Sequence, residues 1–194
     1  MKSKVHKYSV GENSSKEIAT ALIDFLHAFN KYKRKNKKTG EPIFLCVGTD
    51  ELILDTLGPL CGTLIKQKSP KAHVYGCLGS LQTAKNIMKT WRRLKKDYLD
   101  RPIIVIDAAA TEKEGKLGFI ELMNKPLKPG LGAGKNLGKV GDFSIIGITT
   151  LKAWLYTHAR LSDVYMMAQV ISEGVIMFLE EWKRNNKPIT DKVE

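Results

Sequence analysis

Histidine and cysteine are scarce in this sequence, and long apolar runs are missing altogether. The best apolar stretch, "PIIVIDAAA" at 102–110, falls far short of the roughly 18 to 20 residues that cross a bilayer. No membrane association is expected, and the basic opening "MKSKVHKYSVGENSSKE" has no apolar signal core behind it, which makes a cytoplasmic protein the expectation. Cys46, Cys61 and Cys77 are an odd number at spacings that match no zinc or redox motif. They read as small buried hydrophobes in a reducing compartment, and Cys61 has no recognisable His partner that would make it a nucleophile. Negative charge is short as well: 20 Asp and Glu face 32 Lys and Arg, for a formal charge of +12. Such an excess points to an anionic partner and does not by itself choose between nucleic acid, an acidic protein and an anionic surface.

What is present suffices for one domain. The 194 residues, 43% hydrophobic, can bury a sizeable core, and no low-complexity tract interrupts them. The reading is a single domain over 1–194, with 1–12 and 186–194 loose. Ser14 and Glu17 are spaced as a capping box, and Ile18, Ala21, Leu22, Phe25, Leu26 and Phe29 recur at helical spacing, which predicts a helix over 14–31. "IFLCVG" at 43–48 and "RPIIVIDAAA" at 101–110 are continuous apolar runs, the pattern of strands buried on both faces. Between them lie a helix over 57–67, a strand "HVYGCL" and a basic helix over 82–98. Buried strands alternating with helices predict a parallel α/β sheet.

"GFIELMN" and "DFSIIGIT" read as two further strands forming a hairpin or edge pair, so the sheet is expected to be mixed. A long helix, N-capped by Ser162 before Asp163, closes the chain. Its Met and Ile stripe suits core or subunit contact, and Gly174 suits close helix packing, with a homo-oligomer as one outcome.

Carboxylates gather where buried strands should surface. Asp50, Glu51 and Asp55 follow the first apolar strand, and Asp107 ends the apolar part of the third. Ligands of open α/β sheets collect at the carboxyl ends of parallel strands, and if these two strands are neighbours Asp55 and Asp107 converge. A convergent pair in a partly dry cleft does not ionise twice, so one member holds a proton while the other acts as base on water. With a third ligand the same pair would hold a divalent metal. Plain capping of the following turns is the structural alternative.

The glycine-rich "KPGLGAGKNLGKVGD" at 128–142 is no P-loop, because Pro129 and Asn136 stand where that pattern needs Gly and Ser or Thr. Its glycines would instead let backbone N–H groups approach a substrate or an oxyanion. The basic blocks at 31–38 and 85–101 read as a solvated linker and the wet face of a helix, with non-specific nucleic-acid binding as the functional alternative.

Three segments in order resemble the spore germination protease family, and more closely its short relatives, the sporulation proteins of the YyaC type. "LDTLGP" at 54–59 is similar to that family's Pro-Asp-Ala-Leu-Gly-Pro, with Leu54 in place of proline. "VIDAAA" at 105–110 is similar to its Ile-Asp-Ala-Leu-Ala-Ala, and "PGLGAGK" at 129–135 to its Pro-Gly-Ser-Gly-Val-Gly-Asn loop. The resemblance implies a three-layer sandwich, a twisted, mostly parallel, mixed sheet between helices, like the hydrogenase maturation endopeptidases. It implies an aspartic-type spore endopeptidase in the cytoplasm of the forespore or the spore core, acting on small acid-soluble spore proteins or other sporulation proteins. Asp55 and Asp107 would be the catalytic pair, and Gly130, Gly132, Gly134 and Lys135 would bind the peptide. No cofactor is expected.

In the hydrogenase maturation enzymes the equivalent carboxylates bind nickel with a His. This chain has no His between 111 and 150, only His6, His27, His73 and His158, so a metal at Asp55 and Asp107 is the alternative. Thr49 departs from the family's Asn, the Asp50-Glu51 pair is extra, and the chain is much shorter than the germination protease. A catalytically inactive protein that binds nucleic acid or a protein partner is the rival reading.

Overall fold

Continuous apolar sequence becomes central strand, and the two runs that flank Asp55 and Asp107 lie side by side at the middle of one sheet. The structure is a computed structural model that describes residues 5–32, 39–129, 138–152 and 159–186. Its strands are β1 (Val5–Ser9), β2 (Ile43–Cys46), β3 (His73–Tyr75), β4 (Ile103–Thr111), β5 (Phe119–Met123) and β6 (Phe143–Leu151). They are ordered β1-β5-β6-β4-β2-β3. β3, β2, β4 and β6 run parallel, while β5 is antiparallel to both β6 and β1. The sheet is therefore mixed, as expected.

Helices α1 (Ser14–Tyr32), α2 (Leu57–Lys68) and α4 (Leu161–Asn185) bury their apolar faces in one core with Phe44, Ile104, Ile106, Phe143 and Ile145. Helix α3 (Ile87–Asp97) covers the opposite face through Ile87 and Leu94, against Ile43, Leu45, Ile103 and Val105. Alternation along β4 sends Ile104 and Ile106 to the first core and Ile103 and Val105 to the second, so the run must be apolar throughout. The result is an α/β sandwich with helices on both faces.

Some expectations are corrected. Val5–Ser9, read as loose, is an edge strand held by five register pairs to β5, from Val5 with Met123 to Ser9 with Phe119. Ser14 forms no capping box; its hydroxyl donates to the Ser9 carbonyl at 2.7 Å and accepts from the Gly11 N–H at 2.9 Å, tying β1 to α1. The N-cap of α4 is Arg160, and Ser162 lies in the first turn with its hydroxyl donating to Asp163. The basic helix begins at Ile87 because Asn86 closes the preceding turn, accepting from the Thr83 N–H and donating to the Leu81 carbonyl.

The expectation that no segment suits a bilayer also needs revision. By length and composition α4 is long and apolar enough to span one. Its apolar residues, among them Val164, Ala168, Ile171, Val175 and Phe178, are spent on the core beneath α1 and α2. Gly174 packs inside the chain: a Cβ there would lie 2.7 Å from Ile18 Cγ2 of α1.

Candidate active site

Asp107 loses its pairing partner on one side because the neighbour strand stops. β2 and β4 stay in register from Ile43 with Ile103 to Cys46 with Ile106, and there β2 ends. A last backbone bond, Val47 N–H to the Ile106 carbonyl at 2.8 Å, precedes the divergence. Asp107 is thus the first β4 residue without a β2 partner in the ladder, although β4 itself runs on to Thr111 along β6. The expectation that Asp107 ends its strand is corrected accordingly. A register shift between Ala109 and Ala110 follows, the kind of irregularity that accompanies functional strand ends.

The chain after β2 folds back over this gap. Gly48, at φ 144°, makes the turn, and a Cβ there would collide with the Asp55 carbonyl oxygen. Only glycine accommodates both the conformation and the approach. A single 3-10 turn, Ile53–Asp55, presents the second carboxylate. Its backbone is fixed by Thr49 N–H to the Asp55 carbonyl at 3.2 Å, by Asp55 N–H to the Leu52 carbonyl at 2.9 Å, and by the Thr56 hydroxyl to the same Leu52 carbonyl at 2.9 Å. From β6, the Thr149 hydroxyl donates to the Leu54 carbonyl at 2.7 Å and clamps the turn to the sheet.

The two carboxylates perturb each other. Burial pushes the Asp55 carboxyl up to about 6, opposed by the Thr49 N–H. Burial and then the Asp55 charge hold the Asp107 carboxyl well above the ordinary range, opposed by the Ala108 N–H, which donates to Asp107 Oδ1 at 2.9 Å. Both shifts favour the protonated carboxyl, and Asp107 resists ionisation further because it feels the Asp55 charge.

The other sequence candidates separate from this pair. Asp50 and Glu51 are exposed, and the Glu51 N–H is held by the Thr49 hydroxyl at 3.2 Å. Gly130, Gly132, Gly134 and Lys135, together with His158, lie outside the described residues. Among the described residues no group of three His, Cys, Asp or Glu side chains is positioned to hold a metal. Two carboxylates alone fall short of a zinc or nickel donor set, though they suit a hydrated hard cation. Cys61 is fully buried, its thiol pushed up to about 12 and directed to the Ala168 carbonyl, so it is no nucleophile.

Sequence reasoning missed Thr149, because nothing in a β6 threonine marks it as the clamp of a turn 95 residues away. It also missed a cleft of about 360 Å³ bordered by Val10, Leu117, Ile148, Thr149, Met166 and Met167. Neither feature has a local signal, since both arise from elements far apart in the chain.

The protein is an α/β sandwich that carries Asp55 in the turn after β2 and Asp107 on the adjacent parallel strand β4, where β2 stops pairing. Residues 9–174 match the family described as "Protein of unknown function (DUF1256)", and the chain belongs to that family. It is 34% identical over 178 residues to the uncharacterized protein YyaC of Bacillus subtilis (strain 168), an overlap of 88% of this chain and 82% of that protein. The family match spans Asp55, Asp107, Thr149 and part of α4, so the carboxylate pair falls within the matched region.

Proposed function

We propose that the protein is a peptide-bond hydrolase of the aspartic type, with Asp107 as acid and Asp55 as base. The observation that carries the reading is the pair itself: one carboxylate in the turn after β2 and one on β4 where β2 stops pairing, both raised, each by burial and Asp107 also by its partner's charge. Structural capping needs no such arrangement, whereas acid and base chemistry does. Asp55 would take a proton from water as the hydroxide adds to the scissile carbonyl, and Asp107 would protonate the carbonyl oxygen. Asp55 then passes its proton to the leaving nitrogen, the C–N bond breaks as Asp107 recovers its proton, and the products are a carboxylic acid and an amine.

The likeness of "LDTLGP" and "VIDAAA" to the germination protease motifs supports a spore substrate, a small acid-soluble spore protein or another sporulation protein, in the forespore or spore core. In this proposal the sandwich is a relative of the hydrogenase maturation endopeptidases, and the reaction needs no cofactor.

The test is incubation of the purified protein, and of its Asp55→Asn and Asp107→Asn variants, with a small acid-soluble spore protein, followed by mass spectrometry of fragments. Cleavage by the parent and by neither variant is the expected result. Intact substrate in every tube, beside a germination protease that cuts it, would overturn the reading.

A further inference from the structure

The strongest surface feature that the carboxylate pair does not use is the outer side of α3. Between residues 85 and 97 the sequence places Lys85, Lys89, Arg92, Arg93, Lys95 and Lys96 against one acid, Asp97. The apolar stripe Ile87, Met88, Trp91 and Leu94 faces the sheet, which turns the cations outward. Lys89, Arg92 and Lys96, at intervals of three and four, form one row along the helix, Lys85 lies in the turn just before it, and all four are exposed. Among the described residues none of the four joins an ion pair, although Lys7, Lys68, Lys116, Lys152 and Lys183 all do elsewhere. A row of cations left without carboxylates repels itself unless an anion lies across it.

Tertiary structure enlarges the row. β3 is the open edge of the sheet, and α3 lies beside it. The Arg93 guanidinium sits 5.7 Å from the centre of the Tyr75 ring, and Arg101 sits 5.2 Å from that of Tyr98. Lys66 approaches the same edge from α2: its charge and that of Arg101 both press the His73 imidazole toward the neutral form, after burial and against the pull of Glu41. Arg93 and Arg101 thus extend the basic face of α3 to the β3 edge, where Glu41 lies 3.6 Å from His73. α3 itself exposes no large apolar side chain, and Leu99 just beyond it is the one strongly exposed apolar residue beside Tyr98 and Arg101, so cations dominate the helix face. A polyphosphate backbone needs no apolar anchor.

We infer that the outer face of α3 and the adjoining β3 edge bind the phosphate backbone of duplex nucleic acid without reading its sequence. From Lys89 to Lys96 the row spans roughly 10 Å of helix. A duplex presents one negative charge per about 1.7 Å of axis, so the row meets several phosphates. The inference does not rest on hydrolysis at Asp55 and Asp107, and either reading can fail alone.

The test is fluorescence anisotropy of a labelled duplex of about 20 base pairs, titrated with the full chain between about 20 and about 200 mM salt. The parent is expected to bind two unrelated sequences alike, with a log–log salt slope of about −4 or steeper. Removing three row cations together (Lys89→Ala, Arg92→Ala and Lys96→Ala) should flatten the slope by about 2.7 and weaken binding at least about tenfold at low salt. Lys89→Ala alone should flatten it by about 0.9, and Asp55→Asn should leave it unchanged. The replaced side chains are exposed and alanine favours helix, so circular dichroism melts should match the parent. Absence of parent binding at the lowest salt would overturn the inference, as would a triple variant with the parent's slope. So would tighter binding to polyglutamate than to the duplex, which would make the partner an acidic protein.

Discussion

Replacing Asp55 with asparagine should make the protein more stable at neutral pH. The Asp55 carboxyl sits at about 6 in the folded protein against an ordinary value of 3.8. That difference of roughly 2 units corresponds to about 3 kcal/mol at about 1.4 kcal/mol per unit. Asp55 is only partly buried, and solvent screening trims the effect to about 1–2 kcal/mol. The sign follows from proton binding. Between the unfolded and folded values the folded state holds more protons, so stability falls as pH rises through that window, roughly from 4 to 6, and stays lower above it. An asparagine side chain at this position cannot ionise and carries no such loss. Its removal of charge also relieves Asp107, which adds to the gain.

Urea denaturation at about pH 4 and about pH 7.5 should show parent and Asp55→Asn converging in acid, with the variant ahead by about 1–2 kcal/mol at the higher pH. In thermal melts this is about 3–6 °C for a chain of this size. A variant less stable than the parent at the higher pH, or a gap that does not change with pH, would refute the reasoning. A residue that weakens its own fold has been placed for something other than stability, which is why this experiment bears on function even without a substrate.

Two further perturbations probe how the site is held. Gly62→Ala would drive a Cβ into the Gly76 carbonyl oxygen, backbone that cannot move aside, and should cost about 2–4 kcal/mol in urea denaturation; wild-type stability would show that α2 can lift from the sheet. Thr149→Val removes the clamp on Leu54 and should cost about 1 kcal/mol. It should also let the Asp55 carboxyl fall toward its ordinary value as the turn loosens, read from the carboxyl carbon shift in an NMR titration. An unmoved titration would mean that β6 does not position the turn.

The sequence by itself determined the central strands, since runs such as Ile103–Ile106 can be satisfied only by burial on both faces. It also determined the helices predicted over 14–31 and 57–67, found at Ser14–Tyr32 and Leu57–Lys68, and the placing of Asp55 just past a buried strand. Edge and end features were decided only in three dimensions. Val5–Ser9, with alternate residues exposed, becomes a strand because β5 offers it a ladder, and the five residues carry no apolar run that announces it. The α4 composition passes for a membrane span, and only its packing under α1 and α2 identifies it as core. Asp107 emerges at mid-strand because β2 ends one residue earlier in register, a fact about the neighbour and not about "VIDAAA". The raised carboxylates have the same origin: ionisation depends on burial and on the distance to another charge, and both are set by how β2, β4, β6 and the 3-10 turn pack together.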